Sequence, residues 1–191
     1  MLIDDRHRLG EIQRQLLRWG ETHFQVFPWR HHLPLRQALV VEILLQRTRA
    51  AQVVPVYISM FKIYPSAAMF GAAGVCEISE LIRPLGLRWR AALLAKLASE
   101  IGRRKGRLPR TQKQLENLPG VGPYVASAAL SLNGYRRTII IDSNIARVLC
   151  RIGGAPYHRD SRRTRWIRNL ADILTPEENF RSLTSLFWTS R

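Results

Sequence analysis

The stretch at residues 118–123, which reads LPGVGP, constrains the fold of this chain more than any other segment. Two glycines flank Val121, and a glycine can adopt positive φ and leave its backbone N–H group uncovered. Pro123 suits the first turn of a helix, where the missing N–H of proline would have no intrahelical partner. The segment therefore predicts a tight turn between two helices, at about 111–117 and 123–132.

Exposed amides at the start of a helix bind anions, and the charge of the chain points to a polyanion. The formal net charge is +16, and most of the 30 basic residues are arginines, which hold phosphate bidentately. This charge favours nucleic acid as the partner, with an acidic protein or an anionic membrane surface as alternatives. We therefore predict that Gly120, Val121 and Gly122 contact the DNA backbone, and that the arginine-rich run at 159–168 adds phosphate contacts.

The rest of the sequence predicts consecutive helices without a strand ladder, and hence an all-α fold. The predicted helices are 9–23, with Leu9, Ile12, Leu16 and Trp19 at helical spacing, 35–46, 51–64, one ending near Ile101, one capped by Asp142 and running to about Arg151, 160–174 and 176–188. No apolar run approaches the roughly 20 residues of a membrane span, and the N-terminus lacks the apolar core of a signal peptide. We expect a cytoplasmic, nucleoid-associated monomer.

The two cysteines, Cys76 and Cys150, lie in apolar settings, and we expect both to be buried thiols rather than a disulfide. They cannot by themselves form a four-cysteine zinc or iron–sulfur site.

The run LENLPGVGPYVASAALSLNGYRRTIIIDSNIARVLCR, at 115–151, resembles the helix-hairpin-helix and Gly-Pro-Asp core of the endonuclease III superfamily of DNA base-excision glycosylases. Residues 27–57 and 82–98 resemble the matching parts of its adenine-mismatch and thymine-mismatch branches. The resemblance covers most of residues 9–175. It implies a two-lobed all-α fold with the active site in the cleft between the lobes.

On this resemblance we expect residues 1–191 to be a single glycosylase domain. One lobe would span about 30–135, with the hairpin helices at about 111–132. The other lobe would combine the N-terminal helix with about 136–191. Many relatives carry a C-terminal four-cysteine loop that holds a 4Fe–4S cluster, and the sequence ends about where that loop would begin. The chain could belong to a group without the cluster, be truncated, or have a divergent end. We expect no cluster and no other cofactor, although the hairpin could hold a monovalent cation.

Asp142 follows the hairpin by about twenty residues and comes just after the apolar stretch TIII. Breaking an N-glycosidic bond passes through an oxocarbenium-like sugar, whose positive charge a carboxylate can stabilise. A carboxylate can equally deprotonate the attacking water. The alternative role is a plain helix cap, worth about 1 kcal/mol. The resemblance makes Asp142 the essential aspartate of the family.

Tyr124 stands where bifunctional members of the family carry the lysine that forms a Schiff base and cleaves the strand. A phenol cannot form an imine, so the reaction should stop at hydrolysis. The thymine-mismatch branch has a tyrosine here, and the adenine branch typically has a serine. Glu42 interrupts the apolar helix ALVVEILLQ, and in the resembling families this glutamate faces the base pocket, where it could protonate or hydrogen-bond the leaving base.

Further site residues follow from the resemblance. Gln46 and Leu87 match regions that enter the duplex gap left by base flipping, which offsets part of the unstacking cost. Arg88 and Arg90, in the loop GLRWR, could touch the opposite base or a phosphate. Trp29 and Arg30 form the PWR element near the base pocket, and Trp29 could instead be plain core.

Three functions remain open from the sequence. The first is a monofunctional glycosylase that removes thymine or uracil mispaired with guanine from double-stranded DNA, which Tyr124 favours. The second is an adenine glycosylase acting on A:G or A:8-oxoguanine pairs, which Glu42 fits equally well. The third is a non-catalytic helix-hairpin-helix DNA-binding protein.

Overall fold

The computed structural model describes residues 6–23, 26–30, 33–86, 88–137 and 140–176, and all regular structure in these ranges is helical. The α-helices of the described chain are α1 (Arg6–His23), α2 (Leu35–Leu45), α3 (Ala50–Ile63), α4 (Ala67–Gly71), α5 (Val75–Ile82), α6 (Trp89–Arg103), α7 (Gln112–Leu115), α8 (Pro123–Leu132), α9 (Ser143–Ile152) and α10 (Arg165–Leu174). The predicted all-α class is confirmed. The helix predicted at 176–188 lies, beyond residue 176, outside the described residues.

The chain divides into two compact units, which are described separately. One unit contains the described residues of 1–25 and 136–191, and the other contains those of 26–135. None of the described helices is long and apolar enough to cross a bilayer.

The unit that contains α1, α9 and α10 has a core built from amphipathic helices. In α9 the buried side chains are Ile145, Ala146, Leu149 and Cys150, and in α10 they are Ile167, Leu170, Ala171 and Leu174. Both sets follow the three- and four-residue spacing of one helix face. Leu9 of α1 completes this core, and Gln13 Nε2 donates a 2.8 Å hydrogen bond to the Leu174 carbonyl at the end of α10.

The unit that contains α2 to α8 is organised around α2, which is apolar on almost every side. A helix of this kind is stable only when other elements surround it, and nine of the residues from Leu35 to Leu45 are indeed buried. Helices α4 and α6 cross closely at Gly71 and Gly102, where a Cβ on Gly71 would lie 2.5 Å from Gly102 Cα. No larger residue fits this crossing without separating the two helices.

The expected burial of Cys76 is wrong. This residue is exposed, because α5 buries Ile78 and Ile82 and leaves Cys76 on its other face, whereas Cys150 is buried as expected. Trp19, which has helical spacing with Leu9, Ile12 and Leu16, is half exposed and stacks on His23, with ring centroids 4.7 Å apart. It lies beyond Leu17, the last residue of α1 that packs against the core.

Candidate active site

The predicted hairpin is formed by α7, the turn at 118–122 and α8. Gly120 has φ 74°, in the left-handed region that side-chain-bearing residues rarely adopt. A Cβ at this position would lie 3.4 Å from Leu93 Cβ and 3.5 Å from Ile43 Cδ1. These are ordinary van der Waals distances, so it is the backbone conformation that requires glycine at position 120.

The other two hairpin residues differ from expectation. Gly122 does not adopt positive φ: it has φ −85° and ψ 176°, and it is the N-cap of α8. The Val121 amide donates to the Leu118 carbonyl at 3.1 Å and its side chain is buried, so this amide is not available to a phosphate. Gly122 is exposed, and the described residues provide no acceptor for its amide. The anion-binding capacity of the turn therefore lies at Gly122 and the start of α8 rather than at Val121.

Asp142 is the N-cap of α9, as the sequence predicted. Its Oδ1 accepts hydrogen bonds from the amides of Asn144 and Ile145, both at 2.9 Å. These bonds fix the position of the side chain, and the positive end of the helix dipole favours a carboxylate there. Asp142 is only partly buried, so the group that caps α9 remains accessible.

Arg137 anchors the chain shortly before Asp142. Its guanidinium donates to the carbonyls of Asp172, Thr175 and Pro176 at the end of α10, and it forms a 3.0 Å ion pair with the Asp172 carboxylate. A guanidinium in this position satisfies carbonyls that a helix end leaves unpaired. The approach to Asp142 is thereby attached to the same core that holds α9.

Glu42 and Arg30 interact in the other unit. Glu42 is 1% exposed, which rules out a solvent-facing helix acid. Burial lowers the pKa of Arg30 to about 10, and the nearby Glu42 charge partly opposes that shift. Arg30 therefore stays protonated at neutral pH, so a cation and an acidic group lie close together in a largely buried environment.

Trp29 lies beside this pair in an aromatic cluster. Its ring stacks on Phe27 at 5.1 Å and meets Tyr57 edge-on at 5.3 Å. The indole Nε1 is buried and has no hydrogen-bond partner among the described residues. A buried donor left in this state costs about 1–3 kcal/mol, which a ligand acceptor would offset.

The remaining predicted residues occupy different environments. Tyr124 is partly buried in the first turn of α8, Gln46 is partly buried at the end of α2, and Arg88 is exposed before α6. Leu87 lies outside the described residues.

Arg90 is not in the exposed position from which it was predicted to touch DNA, because its side chain is completely buried. The guanidinium donates hydrogen bonds to the carbonyls of Leu44, Gln46 and Leu85 and to Thr48 Oγ1. Arg90 is the second residue of α6, and its side chain faces the end of α2 instead of solvent.

Sequence reasoning missed two residues that lie beside the segment containing Trp29 and Arg30. Tyr57 donates to Gln37 Oε1 at 3.1 Å, and burial raises its pKa to about 12. Asn133 Oδ1 accepts from the Leu33 amide at 3.2 Å, which ties the segment after Arg30 to the end of α8. No local pattern marks either residue, since both act through partners distant in sequence.

Among the described residues, no group of three or more His, Cys, Asp or Glu side chains is arranged to hold a metal ion.

The described residues provide a helical hairpin with an exposed amide and, at the start of α9, a capped and accessible carboxylate. These are features of a hairpin-type DNA-repair protein. The model of the "HhH-GPD superfamily base excision DNA repair protein" family matches residues 40–175, and the chain belongs to this superfamily.

Individual relatives agree with this assignment. The chain is 37% identical over 157 residues to a thymine-DNA glycosylase of Aeropyrum pernix, covering 81% of this chain and 70% of the relative. It is 33% identical over 164 residues to the adenine DNA glycosylase of Homo sapiens, covering 79% of this chain and 30% of that protein. The solved structure of a thermostable thymine-DNA glycosylase superposes with a TM-score of 0.84 at 30% identity, covering 94% of this chain and 84% of the other.

Proposed function

We propose that this chain is a monofunctional DNA glycosylase that hydrolyses the N-glycosidic bond of thymine or uracil mispaired with guanine. It would act as a monomer on double-stranded DNA. The observation that carries the proposal is the combination of a capped Asp142 carboxylate with a tyrosine, Tyr124, at the first turn of the hairpin's second helix. The similarity to a thymine-DNA glycosylase supports the choice of base.

In the proposed reaction the bond between C1′ and the base nitrogen breaks, and the oxygen of water bonds to C1′. The base leaves with the bonding electron pair and takes up a proton. Asp142 stabilises the developing positive charge of the sugar or accepts the proton of the attacking water. The two amide hydrogen bonds to its Oδ1 support this role, because they hold the carboxylate without neutralising it.

The hairpin binds the DNA backbone while the target nucleotide is turned out of the helix. A phosphate oxygen would accept from the exposed Gly122 amide, at the positive end of α8. The strand would remain intact because Tyr124 has no amine with which to form a Schiff base. The product is therefore an abasic site in an uncut strand.

Trp29, Arg30 and Glu42 are proposed to contact the extruded base. The buried indole N–H of Trp29 supports this role, since a pyrimidine carbonyl could accept its unused hydrogen bond. Arg30 and Glu42 provide a donor and an acceptor close together. The paired charges could also assist proton transfer to the departing base.

We propose that this chemistry needs no iron–sulfur cluster. Residues 1–191 contain two cysteines, fewer than the four thiolates that such a cluster uses, so these residues cannot supply its ligands by themselves. Cys150 is moreover enclosed in the core formed with α10.

Adenine excision is the second candidate, and it is favoured by the 33% identity to the human adenine DNA glycosylase and by the burial of Glu42. The two candidates differ in the base that is released from the duplex. A non-catalytic DNA-binding protein, the third possibility from the sequence, would release no base at all.

A panel of duplexes separates these functions. Strands carrying G:T, G:U, A:G or A:8-oxoguanine pairs are incubated with the protein and analysed with and without subsequent alkali. The proposal predicts breaks in the G:T and G:U duplexes that appear only after alkali. Breaks confined to the adenine strands would establish the second candidate, and failure on all four duplexes would indicate a non-catalytic protein.

A further inference from the structure

Arg90 binds two separate segments of the chain, residues 44–48 and Leu85, with one buried side chain. Nη1 donates to the carbonyls of Leu44 and Gln46 at the end of α2, the latter at 3.3 Å. Nη2 donates to Thr48 Oγ1 at 2.9 Å and to the Leu85 carbonyl at 3.2 Å. A buried guanidinium is costly unless hydrogen bonds satisfy it, and the acceptors here lie mainly in and around the turn between α2 and α3.

That turn, residues 46–49, contains an unusual backbone conformation. Arg47 has φ 55°, one of two positive values among the described residues other than glycine. The left-handed region costs a residue with a side chain about 1–2 kcal/mol, so surrounding contacts must maintain it. Arg90 provides such contacts on both sides of Arg47, at the Gln46 carbonyl and at Thr48 Oγ1. Thr48 Oγ1 also donates to the Gln46 carbonyl at 3.3 Å, which closes the turn.

The turn presents the Arg47 side chain to solvent. The residue is exposed, and its guanidinium forms no hydrogen bond or ion pair with the described residues. Gln46, the preceding residue, was already predicted to enter the duplex. A strained backbone that holds an exposed cation beside such a residue is a feature of functional sites.

We propose that Arg47 contacts the DNA directly and that Arg90 is the positioning residue that holds the α2–α3 turn for this contact. The inference rests on the proposed function, and it adds a DNA-contacting residue and its positioning residue to it. A guanidinium can bind two acceptors on the edge of guanine, the base opposite the proposed targets, or the oxygens of a backbone phosphate. The exposed Arg47 guanidinium can form two hydrogen bonds with either acceptor, the guanine edge or the phosphate.

The variant Arg47→Gly tests the DNA contact, because glycine adopts φ 55° without strain and the turn should keep its shape. We expect single-turnover excision from a G:U duplex to slow about tenfold. In a plot of the logarithm of the DNA-binding constant against the logarithm of the salt concentration, the magnitude of the slope should decrease by about one. Lys105→Gly is the matched control: Lys105 is also exposed, has φ 51°, and lies in the connection between α6 and α7. It should change neither quantity.

The identity of the contact is tested by binding to duplexes with a tetrahydrofuran abasic analogue opposite guanine or adenine. If Arg47→Gly weakens binding only opposite guanine, Arg47 reads the guanine edge. If it weakens both complexes equally, Arg47 contacts a phosphate. Either result supports the proposal, whereas unchanged binding, or an equal loss in Lys105→Gly, would overturn it.

The positioning role of Arg90 is tested by a double-mutant cycle. Arg90→Lys keeps the charge but cannot reproduce the fork of donors, and Thr48→Val removes the acceptor of Nη2 with little change in shape. Each should slow excision several-fold in the parent and have almost no further effect in the Arg47→Gly background. A purely structural Arg90 would instead give additive effects, with equal losses of Tm in both backgrounds. If Arg90→Lys does not fold, Thr48→Val provides the test alone.

These measurements distinguish the inference from the proposed function. If the parent excises no base from G:U, the proposed function fails, while binding to the abasic analogue still tests Arg47. If the parent is active and Arg47→Gly equals it in rate, affinity and salt slope, only the inference fails.

Discussion

At the residue scale, Tyr124 determines what the proposed enzyme can do after the base has left. It lies in the first turn of α8, next to the hairpin. Replacing it with lysine would supply the amine that the family's bifunctional members use for strand cleavage. We predict that Tyr124→Lys gives a borohydride-trappable covalent complex with G:U DNA and breaks that no longer require alkali. The measurement is a denaturing gel of protein and DNA after reduction.

Tyr124→Phe is the control for this experiment, because it keeps the aromatic ring and adds no amine. It should give neither trapping nor alkali-independent breaks. Trapping by the parent would contradict the assignment of a monofunctional reaction, since another amine would then form the imine.

Single residues also show where sequence reasoning succeeds. The capping role of Asp142 was predictable, because an N-cap depends only on the residues that immediately follow it. The burial of Arg90 was not, since most of its acceptors lie more than forty positions away, at the end of α2 and in the turn that follows it. Likewise, LPGVGP indicates a turn, but it does not determine that Gly120 rather than Gly122 takes positive φ.

At the element scale, the two hairpin glycines are expected to have different roles, Gly120 in the stability of the fold and Gly122 in DNA binding. Gly122 has an ordinary φ and open space around the position of a Cβ, which favours alanine, whereas alanine is a poorer N-cap than glycine. These effects oppose each other, so Gly122→Ala should leave the free energy of unfolding nearly unchanged. The added methyl group would obstruct a phosphate at the exposed amide. We predict a DNA affinity at least about tenfold lower at unchanged Tm, measured by fluorescence anisotropy and calorimetry.

Gly120→Ala is the comparison within the same turn. Its positive φ should make the variant less stable by about 1–2 kcal/mol. Parent-like affinity in Gly122→Ala would show that the phosphate does not approach this residue.

The helices themselves were largely predictable because their local patterns are strong. The spacing of apolar residues in α9 and α10 matches one buried face in each. Trp19 fails this rule because periodicity identifies a face of α1 but not where along that face its neighbours end. The same limit applies to Cys76, whose apolar sequence neighbours lie on the opposite face of α5.

At the scale of the whole molecule, the net charge of +16 should govern DNA binding. Each neutralised phosphate releases counterions, so affinity falls linearly with salt on logarithmic axes. We predict at least a hundredfold loss of affinity between about 50 and 200 mM salt, measured by anisotropy. A flat response would contradict a binding surface that depends on phosphate contacts.

Substitutions of single arginines test which of them contribute to the salt dependence of DNA binding. Arg88→Gln removes an exposed cation predicted to touch DNA and should lower the salt slope by about one. Arg83→Gln removes an equally exposed arginine that is paired with Glu80 at 3.4 Å, and it should leave the slope unchanged.

The long-range assembly of the molecule was beyond what local patterns can show. Gln13 binds the carbonyl of Leu174, 161 positions further along the chain, and no periodicity in either helix indicates this pairing. The resemblance to a known family supplied the expectation of a two-lobed fold, whereas the residues alone supplied only the helical class.

The central claim is that the Asp142 carboxylate drives hydrolysis, and Asp142→Asn tests it most directly. Asparagine caps a helix about as well as aspartate, so the variant should lose the charge while α9 remains capped. Glu80→Gln, at an exposed acid of α5, is the control. We predict that single-turnover excision from G:U DNA falls at least about a thousandfold in Asp142→Asn, with parent-like Tm, and is unchanged in Glu80→Gln. Parent-like excision by folded Asp142→Asn would contradict the account.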